Sequence, residues 1–301
     1  MKKQIVLAVL VMMGFSSLAF GDEVDNRFQK ARKYLNDNKV IITTTVEQAF
    51  TQDVILVMGE GVPKKGVTGG QKRLTAITAA KVIAQRRLVE LLEGVAVVSE
   101  TTVKDSELAS DIIKTAVTGF VKGTQPVIED WNASEETALV ILKMGVSGPK
   151  GFGAVMYEKI LKEPKIRQEL EKPVYAPPAD VPPPPAIPQA YDGLVIDATD
   201  FSFRPALINR IFNSKGEVLY DPAKISQKVL VEQGCGEYTN SVDKGRAALG
   251  KRGVRNPLVV KASGTVSPSD LQVSDATAVQ IFTANQGNGF MADARVAFVL
   301  K

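Results

Sequence analysis

The chemistry open to this chain is limited first by a residue type it lacks: none of its 301 residues is histidine. Histidine is the commonest general base near neutral pH and the commonest metal ligand. Ser-His-Asp and Cys-His catalysis therefore cannot be built here, nor can a His-based zinc site. Some spacings still imitate catalytic motifs. Gly61-Val-Pro-Lys-Lys-Gly66-Val-Thr68 has the length of a phosphate loop and follows an expected strand. Val67 stands where the phosphate-binding lysine must be, and Pro63 removes a backbone donor, so the segment reads as a turn before a long helix. Ser241-Val-Asp-Lys244 has Ser-x-x-Lys spacing. Its companions are misplaced for acyl transfer: Tyr238-Thr-Asn240 precedes the serine, and Lys261-Ala-Ser-Gly264 carries an extra residue.

Carboxylates are the remaining catalytic candidates. Asp197 and Asp200 lie near a strand end, and Glu129-Asp130 precede Trp131. A glycosidase needs two carboxyls ~5–9 Å apart across a cleft, whereas neighbouring carboxylates at loop ends are usually solvated. The lone Cys235, in Gly-Cys-Gly, permits no internal disulfide and reads as a buried small residue at a turn, with an intermolecular disulfide or reactive thiol as the sharper alternative. No catalytic residue, cofactor or metal ligand is assigned.

Two features suggest contact rather than catalysis. Trp131, the only tryptophan, is expected at a hairpin tip, either half-buried for structure or as an interface anchor. Lys244, Arg246, Lys251, Arg252 and Arg255 put five cations within twelve residues, offset by Asp243 and loosened by Gly245, Gly250 and Gly253. They form either a solvated loop or an anion-facing patch for acidic glycans, lipid headgroups or an acidic partner protein.

The elements that must position these residues fall on either side of a proline stretch. Lys2 and Lys3, the apolar run from Ile5 and the small residues Ala19 and Gly21 have the layout of a secretory signal over residues 1–21. The run is short for the ~20 apolar residues of a membrane span, so cleavage after Gly21 is expected. With no cysteine at the cut, the exported protein is expected to carry no lipid anchor. Half of the 16 prolines lie between Pro173 and Pro188, so residues 173–190 read as an extended spacer. At 45% hydrophobic and 23% charged the chain is of ordinary globular composition, and its net charge of +4 argues against an electrostatically driven nucleic-acid binder.

Residues 22–52 supply an N-terminal helix and lead-in. Over 53–148 the expected order is βαβαββ: a strand at 53–58, a glycine-rich turn from Gly59 to Gly70, a helix over 71–92 and a strand over 95–103. A helix capped by Ser106, with Leu108, Ile112, Ala116 and Phe120 on one face, leads into a hairpin whose second strand, 137–146, is central. One more helix is expected within 149–172. Beyond the spacer, 191–301 reads as a second α+β domain with its own core: strands at 194–198 and 258–262, a hairpin over Asn213-Ser-Lys-Gly216, helices at 222–233, 241–249 and 274–285, and a closing strand at 294–300. The fold class is α+β.

Within 53–148, Met58-Gly-Glu-Gly61 precedes a helix carrying Ala79-Ala-Lys-Val-Ile-Ala-Gln-Arg-Arg-Leu-Val-Glu90. Gly94-Val-Ala-Val-Val-Ser-Glu-Thr-Thr-Val103, Ser110-Asp111 and Gly119-Phe-Val-Lys-Gly123 follow. This pattern resembles the LPP-twenty lipoprotein family and the related N-terminal domain of flagellar assembly protein T. The resemblance covers about a third of the chain and implies a small α/β module in an exported envelope protein. It implies no catalytic residues and says nothing of 191–301. Unlike the lipidated members, this chain has no cysteine for a lipid, so outer-membrane association would come through partners.

The sequence thus leads to an exported, non-enzymatic envelope protein, periplasmic or held at the outer membrane by other proteins, with an assembly or scaffolding role at a flagellar or other surface structure. One domain is expected to dock to a ring while the spacer presents the other, and the edge of the 53–146 sheet is expected to pair with a neighbouring subunit. Recognition of an anionic envelope glycan or lipid headgroup through Lys244–Arg255 is the alternative, and a carboxylate-only hydrolase the third.

Overall fold

The computed structural model describes residues 24–177 and 190–301, so the signal segment and most of the proline stretch lie outside the described residues. The fold is mixed α+β, as expected. The N-terminal module contains α1 (Gln29–Asn38), α2 (Val46–Gln52), β1 (Val54–Gly61), α3 (Gly70–Glu93), β2 (Ala96–Val98) and β3 (Thr101–Thr102). It continues with α4 (Val103–Ala109), α5 (Asp111–Lys122), β4 (Pro126–Asn132) and β5 (Thr137–Gly145). Its main sheet is antiparallel in the order β1-β5-β4. β5 is central because both of its faces are apolar: Val140 and Leu142 belong to the main core with Ala80, Ala84 and Leu88 of α3. Leu139 and Ile141 pack with Phe28 and Ala31 of α1 on the other side.

The contact of α3 with β1 explains Gly59 and Gly61, which end the strand and do not form the expected turn. A Cβ at Gly59 would lie 2.2 Å from the Ala80 carbonyl oxygen, and one at Gly61 would lie 2.3 Å from that of Ala76. The missing side chains let helix and strand backbones touch along the Ala76, Ala80, Ala84 stripe. The turn itself is 62–69, with Gly66 and Gly69 at positive φ.

The expected strand over 95–103 is instead a hairpin, β2-β3, turning at Ser99 (φ 53°) outside the main sheet. The expected Ser106 cap also moves. Thr102 and Asp105 form a capping box that starts α4, and Ser110, in extended conformation, breaks it from α5. The break re-phases the buried face: Ile113, Val117 and Val121 are inside, while Leu108 and Ile112 are exposed. The helix expected at 149–172 is likewise two, α6 (Phe152–Ile160) and α7 (Pro164–Leu170), with Pro164 opening the second.

The C-terminal module comprises β6 (Gly193–Asp197), β7 (Arg210–Phe212), β8 (Val218–Tyr220), α8 (Gln227–Gln233), β9 (Glu237–Thr239), α9 (Val242–Lys251) and β10 (Pro257–Lys261). After these come β11 (Gly264–Ser267), β12 (Asp270–Gln272), α10 (Asp275–Asn288) and β13 (Val296–Val299). A parallel sheet runs β10-β6-β13-β9, and a mixed sheet runs β11-β12-β7-β8. α9 covers one face of the parallel sheet, where Leu249 packs with Val195, Ala297 and Val299. Gly245 faces Val195 and Ala297, so it is a packing glycine rather than a loosening one.

The expectation of separate cores fails. One continuous core runs from Phe50 and Leu88 through Leu230 and Tyr238 to Phe298. Backbone bonds also cross between the modules: Leu207 N and Ile208 N donate to the Ala96 and Val97 carbonyls, and Gly148 N donates to that of Val231. The β2-β3 hairpin left the main sheet to make this junction. Even the start of the spacer is tied down. Val218 N donates to the Pro173 carbonyl at 2.7 Å, Tyr175 N donates to that of Val218 at 2.9 Å, and the Tyr175 ring meets Phe282.

Candidate functional site

Each residue that invited a functional reading has a place in this framework. Trp131 lies within β4 opposite Ala138, half-buried against the main core; the hairpin tip is 133–136. Asp130 is buried, and its Oδ2 accepts the backbone N–H groups of Lys30 (2.8 Å) and Ala31 (3.2 Å). It thereby seats the first turn of α1, where a carboxylate is favoured, and it does not pair with Glu129 across a cleft. Asp197 Oδ1 accepts the N–H and hydroxyl of Thr199. Partial burial pushes its carboxyl up, but these bonds and the Lys261 charge outweigh that and leave it below its ordinary value. Asp200 meets Lys261 at 3.7 Å on the surface. Ser241 caps α9 by accepting the Lys244 N–H, and the Lys244 Nζ donates to Asn240. The Ser-x-x-Lys spacing is therefore that of a helix cap.

The five cations are not brought together. Arg252 turns inward: Nε meets Glu237 at 2.7 Å, Nη1 donates to the Ala294 carbonyl and Nη2 to that of Gln233. Lys244, Arg246, Lys251 and Arg255 are exposed. At 3.6 residues per turn, Lys244 and Lys251 share one flank of α9 while Arg246 lies about 140–160° round the helix. Arg255 follows α9 in a loop whose Arg255 and Asn256 N–H groups bind Asp192.

The outer side of β1 is partly occupied as well. Leu56 exchanges bonds with Thr43 at the outer side of β1, its N–H to Thr43 Oγ1 and its carbonyl from Thr43 N, and the next outward carbonyl, Met58, accepts Arg87 Nη1. β4 opens with Pro126 and is bulged before Ile128. Proline, bulges and covered backbone groups narrow the edge that the expected strand pairing with a neighbour could use.

Sequence reasoning missed a buried charged group, Arg210. Its Nε and Nη2 make a two-point contact with the Asp270 carboxylate at 3.0 and 2.7 Å. Nη1 donates to the Glu169 carbonyl, and Nη2 also donates to Ser99 Oγ. The hydroxyls of Ser99 and Ser267 donate to Asp270 Oδ2. The signal was present: Arg210 is one charge inside the apolar run Leu207-Ile-Asn-Arg-Ile-Phe212, and a buried guanidinium demands a carboxylate. An opening of about 480 Å³ reaches this junction beside Glu100, Thr101 and Lys172. Each of the three Arg210 side-chain nitrogens donates to protein, so the cluster joins modules rather than offering a reactive group.

Cys235 lies buried in a second polar knot, its Sγ 2.9 Å from the Tyr238 hydroxyl, which donates to Asn209 Oδ1 and lies 3.1 Å from the Ala206 carbonyl oxygen. Tyr220 donates its hydroxyl to the Cys235 carbonyl. Burial pushes the thiol above its ordinary value, so it stays protonated and unreactive at neutral pH.

The N-terminal module also carries a groove of about 650 Å³ between 42–46 and α3. Ile42, Val57, Met58 and Leu91 give it an apolar floor, with Arg87 and Glu90 at the rim. Among the described residues, no group of three or more Cys, Asp or Glu could hold a metal ion. No described helix is long and apolar enough to cross a membrane.

Residues 193–301 match the family described as Treponema pallidum Tp0624, second domain. The match coincides with the C-terminal module and includes no residue of the N-terminal one. No curated protein matches the chain.

Proposed function

We propose that this chain is an exported, non-enzymatic envelope protein that serves assembly as a rigid two-module piece. The observation that carries the reading is the shared core closed by Arg210 and Asp270 at the module junction. A chain built this way transmits position and load from one module to the other, as a scaffold must, rather than holding two independent binders on a flexible tether. The resemblance of 53–148 to exported envelope modules supports the setting, and a flagellar or other surface ring is the machine it suggests. The residues that imitated catalytic motifs are engaged as caps, clamps and core groups, in keeping with a non-enzymatic role. The apolar groove beside α3 is the concavity in which a partner's side chains would find a floor.

The test is crosslinking in intact cells followed by affinity recovery from gentle lysates. Co-recovery of basal-body or other ring proteins is the expected result. Recovery of glycan or lipid with no protein partner would overturn it in favour of a binding module.

A further inference from the structure

One face of the N-terminal module combines exposed cations with exposed aliphatic side chains. From Gly61 to Val89 the chain has no Asp or Glu, yet it holds Lys64, Lys65, Lys72, Arg73, Lys81, Arg86 and Arg87. Lys72 is paired with Glu136, and Arg87 is engaged at Met58. Lys64, Lys65, Arg73 and Arg86 are exposed and form no ion pair among the described residues. Large aliphatic side chains stand among them: Val62 is 64% exposed, Leu74 66% and Val82 50%.

Helix geometry and one hydrogen bond assemble these residues. Leu74, Thr78, Val82 and Arg86 recur every four residues, so they form one stripe along α3. That stripe faces away from the buried Ala76, Ala80, Ala84 and Leu88. The loop before α3 folds back on the helix, since Lys64 N donates to Thr75 Oγ1 at 3.2 Å. Lys64 and Lys65 are thereby held beside the second turn of α3, at the Leu74 end of the stripe. Glu90, one turn beyond Arg86, ends the acid-free run.

From this charge and shape we infer that the outer face of α3 and the loop before it rest on an anionic lipid bilayer, as a peripheral contact independent of any lipid anchor. Isolated exposed aliphatics are ordinary. Three of them within an acid-free basic segment are what a headgroup layer rewards: cations meet phosphates while Val62, Leu74 and Val82 enter the acyl boundary. The face is a convex helix stripe, suited to a flat surface rather than to a strand or a single glycan chain. It carries no aromatic side chain on which a sugar or base could stack. The inference does not depend on the scaffold reading; it says on which surface such a piece would stand.

The experiment is vesicle co-sedimentation of protein recovered from the exported fraction. Phosphatidylcholine vesicles are compared with vesicles that also contain phosphatidylglycerol. Binding to the anionic vesicles alone is expected, weakening as salt is raised. Lys64→Glu with Lys65→Glu should cut partitioning at least tenfold, since each cation near an anionic surface is worth about fivefold. Leu74→Ser with Val82→Ser should also reduce it severalfold, and these exposed substitutions leave the core untouched. Lys244→Glu with Lys251→Glu, on α9, should change nothing. The inference is overturned if anionic vesicles bind no better than neutral ones, if either α3-face pair leaves binding intact, or if the α9 pair abolishes it. A missing protein partner in the crosslinking experiment would leave these outcomes unaffected, so the two readings fail separately.

Discussion

Arg210 of β7 and Asp270 of β12 face each other as a two-point ion pair with only 2% and 1% of their side chains exposed. The same guanidinium holds Ser99 of the N-terminal hairpin and the Glu169 carbonyl of α7. One charged group thus ties three separate stretches of chain. Removing one partner of a buried pair strands the other, at a cost of about 3–5 kcal/mol. Arg210→Ala and Asp270→Asn should each lose that much in denaturant unfolding. The loss should appear in probes of both modules, because they share a core. The apolar pair Arg210→Met with Asp270→Leu should be milder than either single change.

Arg252 separates structural from surface cations. Its three-way clamp on Glu237, Ala294 and Gln233 predicts that Arg252→Ala costs about 1.5–3 kcal/mol, the range for hydrogen bonds to a charged group. Arg246→Ala and Lys251→Ala, at exposed positions, should stay within about 0.5 kcal/mol. Thermal unfolding of the three variants side by side decides the matter.

What could be read in advance tracks the length of the pattern. α3 was legible because Ala76, Ala80, Ala84, Leu88 and Leu92 keep one helical period, and β5 because residues 138–142 are an unbroken apolar run. β9 and β12 have three residues each, too few for alternation to register, so tertiary pairing alone defines them. The β2-β3 turn was hidden because Ser99 adopts a positive φ that serine does not advertise. The site suffered most: a run of cations in sequence becomes opposite flanks of one helix, and Arg252 is indistinguishable from its neighbours until Glu237 and Gln233 are seen beside it. The proline stretch announced a spacer, yet composition cannot reveal that the flanking modules bury apolar surface against each other.

Gly59 tests the close approach of α3 to β1. Its absent Cβ would fall 2.2 Å from the Ala80 carbonyl oxygen, a backbone atom that cannot swing aside. Gly59→Ala should therefore cost at least the ~1–3 kcal/mol of an overpacked core, or prevent soluble expression. At Gly70 a Cβ would meet nothing within 4 Å and the φ is not positive, so Gly70→Ala should be neutral or stabilising by about 0.4–1 kcal/mol. A comparison of unfolding midpoints would expose the argument as wrong if the two alanines behaved alike.

Alkaline pH should loosen the fold through the knot around Cys235. Burial raises the Cys235 thiol above its ordinary value of 9.0, and it raises Tyr157, Tyr220 and Tyr238 well above 10.0. In each case folding favours the protonated, neutral form. The sign follows: the contribution is fully present below the unfolded value and is lost as pH rises from there towards the folded value. Stability should accordingly be unaffected by these groups at neutral pH and fall from about pH 9 upward, first through the thiol and then through the phenols. Cys235→Ser should not remove the later, phenol-driven fall. The same burial predicts that a thiol reagent at pH 8 modifies the native protein only as fast as it opens, while denatured protein reacts at once. Rapid labelling of the native state would place Cys235 at the surface and contradict the packing of Tyr238 and Asn209 around it.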